Sequence, residues 1–215
     1  MTEHEHRETR HVPPPSGEGI VEAVGGPLGL AETTLPAVAF VVAYAVSGSD
    51  TNVSAGVAVG LALVLSVLRL ARRETPRHAL SGLVGVAFAA FVAAKSGRAE
   101  NFFLPGLLAN AAYAAAFLVS LAVRRPLVGE IWTRLDGEGP GWREDPARVR
   151  AFVQATWLWA GVFLLRLLVQ LPLYLVSAVV ALGVARTAMG VPLFALGLWL
   201  TWRLVRRAPP APASA

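Results

Sequence analysis

The chain contains no cysteine. That excludes disulfides, thiolate metal sites and cysteine nucleophiles. Charge is scarce as well: 15% of the 215 residues are charged and 55% are hydrophobic, too apolar a balance for an ordinary soluble domain. Lysine is nearly missing, since Lys95 stands alone beside eighteen arginines. No GxSxG, HExxH, P-loop or dinucleotide fingerprint occurs, so a non-enzymatic protein is expected. No Asp or Glu falls deep inside an apolar run; Glu32 lies near the start of the first, and Asp50 and Glu100 lie between runs. Proton coupling across membranes usually uses a buried carboxylate or histidine, so a proton-driven transporter is disfavoured. Of the four histidines, His4, His6 and His11 lie in the N-terminal tail and His78 in an arginine-rich gap. A solvated surface is the default for all four, and neither a metal nor a cofactor is expected.

What is present is a succession of apolar runs separated by short polar gaps. Spans are expected at about 30–48, 53–70, 80–94, 102–123, 151–174 and 180–205, against a requirement of about 20 residues per bilayer crossing. Pro36 and Pro105 fall where helices tolerate proline, and Pro192 predicts a kink in the sixth span. The division after Pro172 has an alternative, in which Leu173–Ala185 forms a separate re-entrant piece. Basic residues fill every second gap: fifteen lie in segments that would face the cytoplasm and two, Lys95 and Arg98, in the others. This excess orients membrane proteins, and it places both termini in the cytoplasm of a bacterial cell. The net charge of +5 is explained by those gaps, and no basic groove with interleaved aromatics suggests nucleic acid. The expected fold is an all-α integral membrane protein with a bundle of about six transmembrane helices. Residues 20–207 form one polytopic domain between polar tails at 1–19 and 208–215, both read as disordered. The first tail lacks the basic and apolar stretches of a cleaved signal peptide.

Leu127, Val128, Ile131, Trp132 and Leu135 line one helical face, with Glu130 and Arg134 opposite at an i,i+4 spacing. This predicts a short amphipathic helix on the inner leaflet after the fourth span; a partner-docking surface is the other reading. Ile20, Val21 and Val24 hint at a weaker version. Gly56 and Gly60, and Ser81, Gly85 and Ala89, form small-residue ridges. They suit packing within the bundle, with homo-oligomerisation the alternative use. Leu35–Pro36 recurs as Leu104–Pro105 and Arg72–Arg73 as Arg124–Arg125, but Pro and Arg are 36 residues apart in one case and 19 in the other. An inverted repeat is not supported.

The remaining candidates form a polar layer. Arg166 lies six residues before Pro172 and Arg186 six after Val180, so each sits about 9 Å inside the outer end of its helix. Asn110 lies at similar depth, Tyr113 one turn deeper, and Gln170 shares a face with Arg166. A charge within a span costs several kcal/mol unless paired or watered. Arg166, Gln170, Arg186, Asn110 and Tyr113 are therefore the candidate outer-side polar pocket, suited to an anionic group such as a lipid phosphate. The structural alternative pairs the arginines with Asp50 or Glu100, or lets them snorkel.

The stretches RRPLVGEIW (Arg124–Trp132), RTAMGVPL (Arg186–Leu193), GGPLGLAE (Gly25–Glu32), ARRETPRHALSGLVGVA (Ala71–Ala87) and FLLRLLVQ (Phe163–Gln170) resemble a family of actinobacterial membrane proteins, domain of unknown function family 3159. The resemblance implies a multi-span fold and no established activity. More loosely, the order of features is similar to the intracellular septation protein A family: an early Leu-Pro, a basic loop ending in Glu, a basic-Pro-Leu segment and an Ala-to-Trp stretch at Ala155–Trp159. That family is linked to envelope synthesis and division, and the chain departs from it in its longer N-terminus, the Gly137–Asp145 insert and the sixth span. The function expected is an envelope or septation-related role through lipid or protein partners. A small transporter or channel for an anionic solute is the runner-up.

Overall fold

The computed structural model describes residues 26–72, 76–136 and 140–207. Both tails, the Ile20–Val24 stretch, most of the Arg73–Arg77 gap, the start of the Gly137–Asp145 insert, and the side chains of Glu32, His78 and Leu135 lie outside the described residues. The described chain is all helix: α1 (Gly26–Val46), α2 (Thr51–Ala71), α3 (Pro76–Ser96), a 3-10 turn (Ala99–Phe102), α4 (Leu104–Ala122), α5 (Leu127–Asp136), a second 3-10 turn (Pro140–Glu144), α6 (Pro146–Leu175), α7 (Val179–Ala188) and α8 (Val191–Arg207).

Local chemistry sets several of these limits. Asp50 caps α2, its Oδ1 accepting from Asn52 N at 2.8 Å and Val53 N at 3.0 Å, two donors that no helical carbonyl can serve. Asp145 caps α6 through Ala147 N at 2.8 Å, and Pro146 follows as the first helical residue. That start makes α6 30 residues long, extending five residues before the expected span. The sixth span is not kinked at Pro192 but broken at Met189–Gly190, between α7 and α8. Pro192 bars a continuous helix because it has no N–H and clashes with the turn before it. It sits instead in the first turn of α8, where that defect costs nothing. Leu173–Ala185 is not a separate piece, since α6 runs through Leu175 before the turn into α7.

Four segments are long and apolar enough to cross a membrane: Thr51–Ala71, Leu104–Ala122, Pro146–Leu175 and Val179–Arg207 taken across its break. Shorter apolar stretches occupy Thr34–Val46 in α1 and Leu80–Ser96 in α3. Large apolar side chains such as Leu168, Val184, Leu175 and Phe88 point outward. Small and polar groups, Ala58, Ala93, Ser54 and Thr156, lie inside. This reversal of the usual pattern is compatible with a membrane-embedded protein, because lipid covers apolar surface as readily as a core does.

Two cores form. The first joins α1, α2, α3, the first 3-10 turn and α7 around Phe40, Ala58, Ala93, Phe103 and Leu182. The second joins α4, α5, α6 and α8 around Phe117, Phe152, Trp159 and Phe163. The break at Met189–Gly190 lets one span serve both: α7 packs against α1, and α8 against α6. Alternation of the helices gathers the Ser47–Asp50, Gly97–Phe103 and Val176–Ala178 connections at one end, here the turn end. Arg72, Arg124, Arg125 and Arg207 mark the other, basic end.

Two expectations about surfaces change. Gly56 and Gly60 face outward with nothing near their Cα hydrogens, while α2 packs through Ser54, Ala55, Ala58, Ala62 and Ser66. The buried stripe of α2 thus runs beside the GxxxG pair rather than along it. In α5 the buried residues are Val128 and Gly129, with Trp132 part-buried against Phe152 at 6.4 Å between ring centroids and Ile131 exposed. Glu130 pairs with Arg143 from the second 3-10 turn instead of Arg134 one turn on. Trp142 lies so close that a Cβ at Gly129 would come within 2.8 Å of its ring. Val128, Gly129 and Trp132 are therefore docked on α6 and Trp142 while Ile131 stays exposed, which the sequence could not foresee because the clamp comes from a loop thirteen residues away.

A candidate anion-binding cavity

Between the two cores lies a cavity of about 520 Å³, within the range of small-molecule sites. Its walls come from five helices. Thr34 and Ala37 on α1 face it, as do Ser81, Gly82 and Gly85 on α3, Gly106 and Asn110 on α4, Arg166 and Gln170 on α6, and Arg186 and Thr187 on α7. The structure brings together Arg166, Gln170, Arg186 and Asn110. Tyr113 is not among them: it is exposed on α4 and packs against Phe163 at 5.2 Å.

Neither carboxylate meets the arginines. Asp50 is occupied as the α2 cap. Glu100 accepts from Arg98 Nε at 2.7 Å and from Ser177 Oγ at 2.8 Å. Burial works to raise the Glu100 carboxyl, but its own backbone N–H, the Ser177 hydroxyl and the Arg98 guanidinium outweigh it and hold it below the ordinary value. Ser177 reaches Glu100 because it adopts a left-handed φ of 55° where α6 ends. Beside it Tyr174 donates to Asn101 Oδ1 at 2.6 Å. These two links tie α6 to the first 3-10 turn at the turn end.

The arginines differ in how they are held. Arg166 donates through Nε to Met189 O at 2.9 Å, through Nη2 to the same oxygen, and through Nη2 to Gly190 O at 3.2 Å. It is thus a cationic cap on the Met189 carbonyl at the C-terminal end of α7, where positive charge is favoured, and it shares Gly190 O with Phe194 N, which donates to that oxygen at 3.2 Å. Arg186 has no hydrogen-bond or ion-pair acceptor among the described residues. Its guanidinium lies 5.8 Å from the Phe103 ring centroid and presses on Gly106, where any Cβ would collide with it. Gln170 is 1% exposed and its Oε1 makes no hydrogen bond. Asn110 makes none either among the described residues, and it is 9% exposed.

The opening differs from the expected outer-side pocket. Phe102, stacked on Phe40 at 4.0 Å, lines the turn end of the cavity, and Phe103, edge-on to Phe40 at 6.1 Å, lies beside it; both are buried. The exposed rim consists of Ser81, Gly82, Gly85 and Ala109, between α3 and α4. Ser81 is five residues into α3, so the rim reaches to about 8 Å from the basic end. The depth of Arg186 was legible from span boundaries, but the Phe plug was not, because it depends on how a 3-10 turn folds back over α1. Gly106 and Gly190 were missed as well. Their signal is local: Gly106 follows Pro105, and Gly190 stands two residues before Pro192 at a helix break.

Chemically, the cavity offers guanidinium and amide donors in mainly apolar surroundings. No cluster of three or more metal-ligating side chains occurs among the described residues. Such a site can hold and neutralise an anion. The model of a family described as protein of unknown function, DUF3159, matches residues 24–212. No curated protein and no solved structure matches the chain. The family match covers every helix and every cavity residue named above, and the chain belongs to the DUF3159 family of proteins of unknown function.

Proposed function

We propose that this is a non-enzymatic, six-span protein of the bacterial cytoplasmic membrane, with both termini inside, that binds an anionic group within the bilayer. The observation that carries the reading is Arg186, a guanidinium without an acceptor among the described residues, at the wall of a cavity enclosed by apolar helices. An uncompensated charge there is costly unless water or a ligand serves it, and guanidinium suits phosphate through paired hydrogen bonds. The likeness of feature order to the septation protein A family supports a role in envelope synthesis or division, exerted through lipid or protein partners. Arg186→Lys keeps the charge but removes the fork. Native mass spectrometry of the purified protein should show it retaining roughly tenfold less anionic phospholipid than wild type at an unchanged melting temperature. Equal retention of anionic and zwitterionic lipid by wild type would overturn the reading.

A second reading, passage of an anionic solute, is favoured by one specific observation. Two separately cored helix sets flank a cavity closed by Phe102 at one end and rimmed by exposed residues towards the other. Anion flux into proteoliposomes that Arg186→Lys abolishes would establish it; no flux above protein-free vesicles would exclude it.

A further inference from the structure

The unused hydrogen-bonding groups define the ligand more narrowly than its charge. Arg186 offers donors only, and Arg166 has Nη1 left after capping the helix break. Gln170, whose side chain borders the same cavity, offers the opposite: a buried Oε1 acceptor with no partner among the described residues. A buried acceptor left without a donor costs about as much as a lost hydrogen bond. An anion with acceptors alone would satisfy the arginines and leave Gln170 unserved. Its complement carries anionic oxygens and, close to them, an O–H or N–H donor.

The route in is also marked. The rim between α3 and α4 is made of Ser81, Gly82, Gly85 and Ala109, which carry little side chain to bar entry from the side. Apolar groups nevertheless supply most of the lining surface, among them Ala37, Val86, Ala89, Pro105 and the ring of Phe102. A hydrated inorganic ion gains nothing from such walls, whereas a headgroup tethered to acyl chains can enter while its tails stay in lipid. Resting on the anion-binding reading above, we infer that the cavity takes a phosphate diester bearing a free hydroxyl, presented by an anionic phospholipid that enters laterally between α3 and α4. Arg186 grips the phosphate oxygens, and the Gln170 carboxamide turns towards the cavity so that Oε1 accepts from the headgroup hydroxyl.

The test uses the full chain in phosphatidylcholine nanodiscs doped with phosphatidylglycerol or with phosphatidylmethanol. These two share the phosphate diester and its charge, and only the first has a hydroxyl. Bound lipid is counted by native mass spectrometry for wild type, Gln170→Leu and Arg186→Lys, with melting temperatures alongside. Wild type should retain phosphatidylglycerol roughly tenfold better than phosphatidylmethanol. Gln170→Leu should retain the two equally at an undiminished melting temperature, and Arg186→Lys should lose both. Equal retention of the two lipids by wild type, each above phosphatidylcholine, overturns this inference and leaves the anion site standing. Retention of neither above phosphatidylcholine removes the anion site itself. Free glycerophosphoglycerol, the same headgroup without tails, tests the source: displacement of the lipid by equimolar headgroup overturns lateral entry in favour of a free solute. Failure to displace it supports the lipid.

Discussion

The two cores of this protein are filled in opposite ways. The α1–α3 core closes on small residues, with Ala55, Ala58, Ala62, Ala89, Ala90 and Ala93 buried and large rings gathered only at the turn end. The core of α4, α5, α6 and α8 closes on rings: Phe117 stacks near Trp159 at 6.5 Å and Phe163 at 5.7 Å, and Trp142 meets Phe152 edge-on at 5.0 Å. In lipid, where apolar burial alone does not drive association, helices cohere either by close backbone approach or by large interlocking contacts. The first core uses approach and the second uses interlock. Truncation should therefore damage the second most, and enlargement the first.

Trp159→Ala tests the ring-filled core and should have the largest effect. Trp159 is 7% exposed, packs edge-on against Phe194 at 5.0 Å, and donates Nε1 to Thr201 Oγ1 at 3.0 Å. Its indole stands over Gly197, where a Cβ would lie 3.3 Å from the ring. Losing it leaves a void and takes away the bond that the Thr201 hydroxyl accepts, although that hydroxyl still donates to Gly197 O at 2.8 Å, for a cost of about 3–5 kcal/mol. Reversible unfolding in mixed detergent micelles measures this, and a loss below about 1 kcal/mol would break the comparison. Ala58→Leu is the reciprocal change at a fully buried position of the small-residue core. It forces helices apart and should cost about 1–3 kcal/mol.

The turn-end links set a pH dependence. The folded Glu100 carboxyl titrates below its ordinary value, so its contribution is complete above the unfolded value of about 4.3. It is lost as pH falls through the folded value. Melting temperature should fall in that acid window for wild type, and less steeply for Glu100→Gln, which keeps the size and cannot titrate. Equal slopes for the two would show that other carboxylates set the acid limit.

Helix existence was legible from the apolar runs, and Pro105 fell in the first turn of α4 as expected, but the caps Asp50 and Asp145 were not foreseen, and α6 begins five residues before its expected span. The convergence of Arg166, Gln170, Arg186 and Asn110 could be approached from depth alone, since three spans carry polar residues at similar distances from their ends. Helix rotation was not legible. Tyr113 follows Asn110 by three residues and still points out of the cavity, and Gly56 and Gly60 face away from the neighbours of α2. In a membrane both sides of a helix meet apolar surroundings, so hydrophobic periodicity loses the contrast that fixes facing in soluble proteins. Partners that arrive from loops were hidden for a different reason. Arg143 on Glu130 and Ser177 on Glu100 are set by turn geometry over separations of 13 and 77 residues.

The smallest effect should come from the outward face of α2. Gly56 and Gly60 have open space around them, whereas Ala58, between them in sequence, is fully buried. Gly56→Leu with Gly60→Leu adds volume where nothing is met, and it replaces two poor helix formers by a good one. In the monomer each change should be neutral or stabilise by up to about 1 kcal/mol, the opposite sign to Ala58→Leu two residues away. If copies of the chain associate through this GxxxG face, the same pair of substitutions blocks their close approach. Cross-linking and sedimentation in detergent would then show wild-type dimers replaced by monomers with an undiminished unfolding midpoint. A drop in midpoint comparable to that of Ala58→Leu would mean that this face is buried within the monomer, and that α2 is rotated from the orientation described.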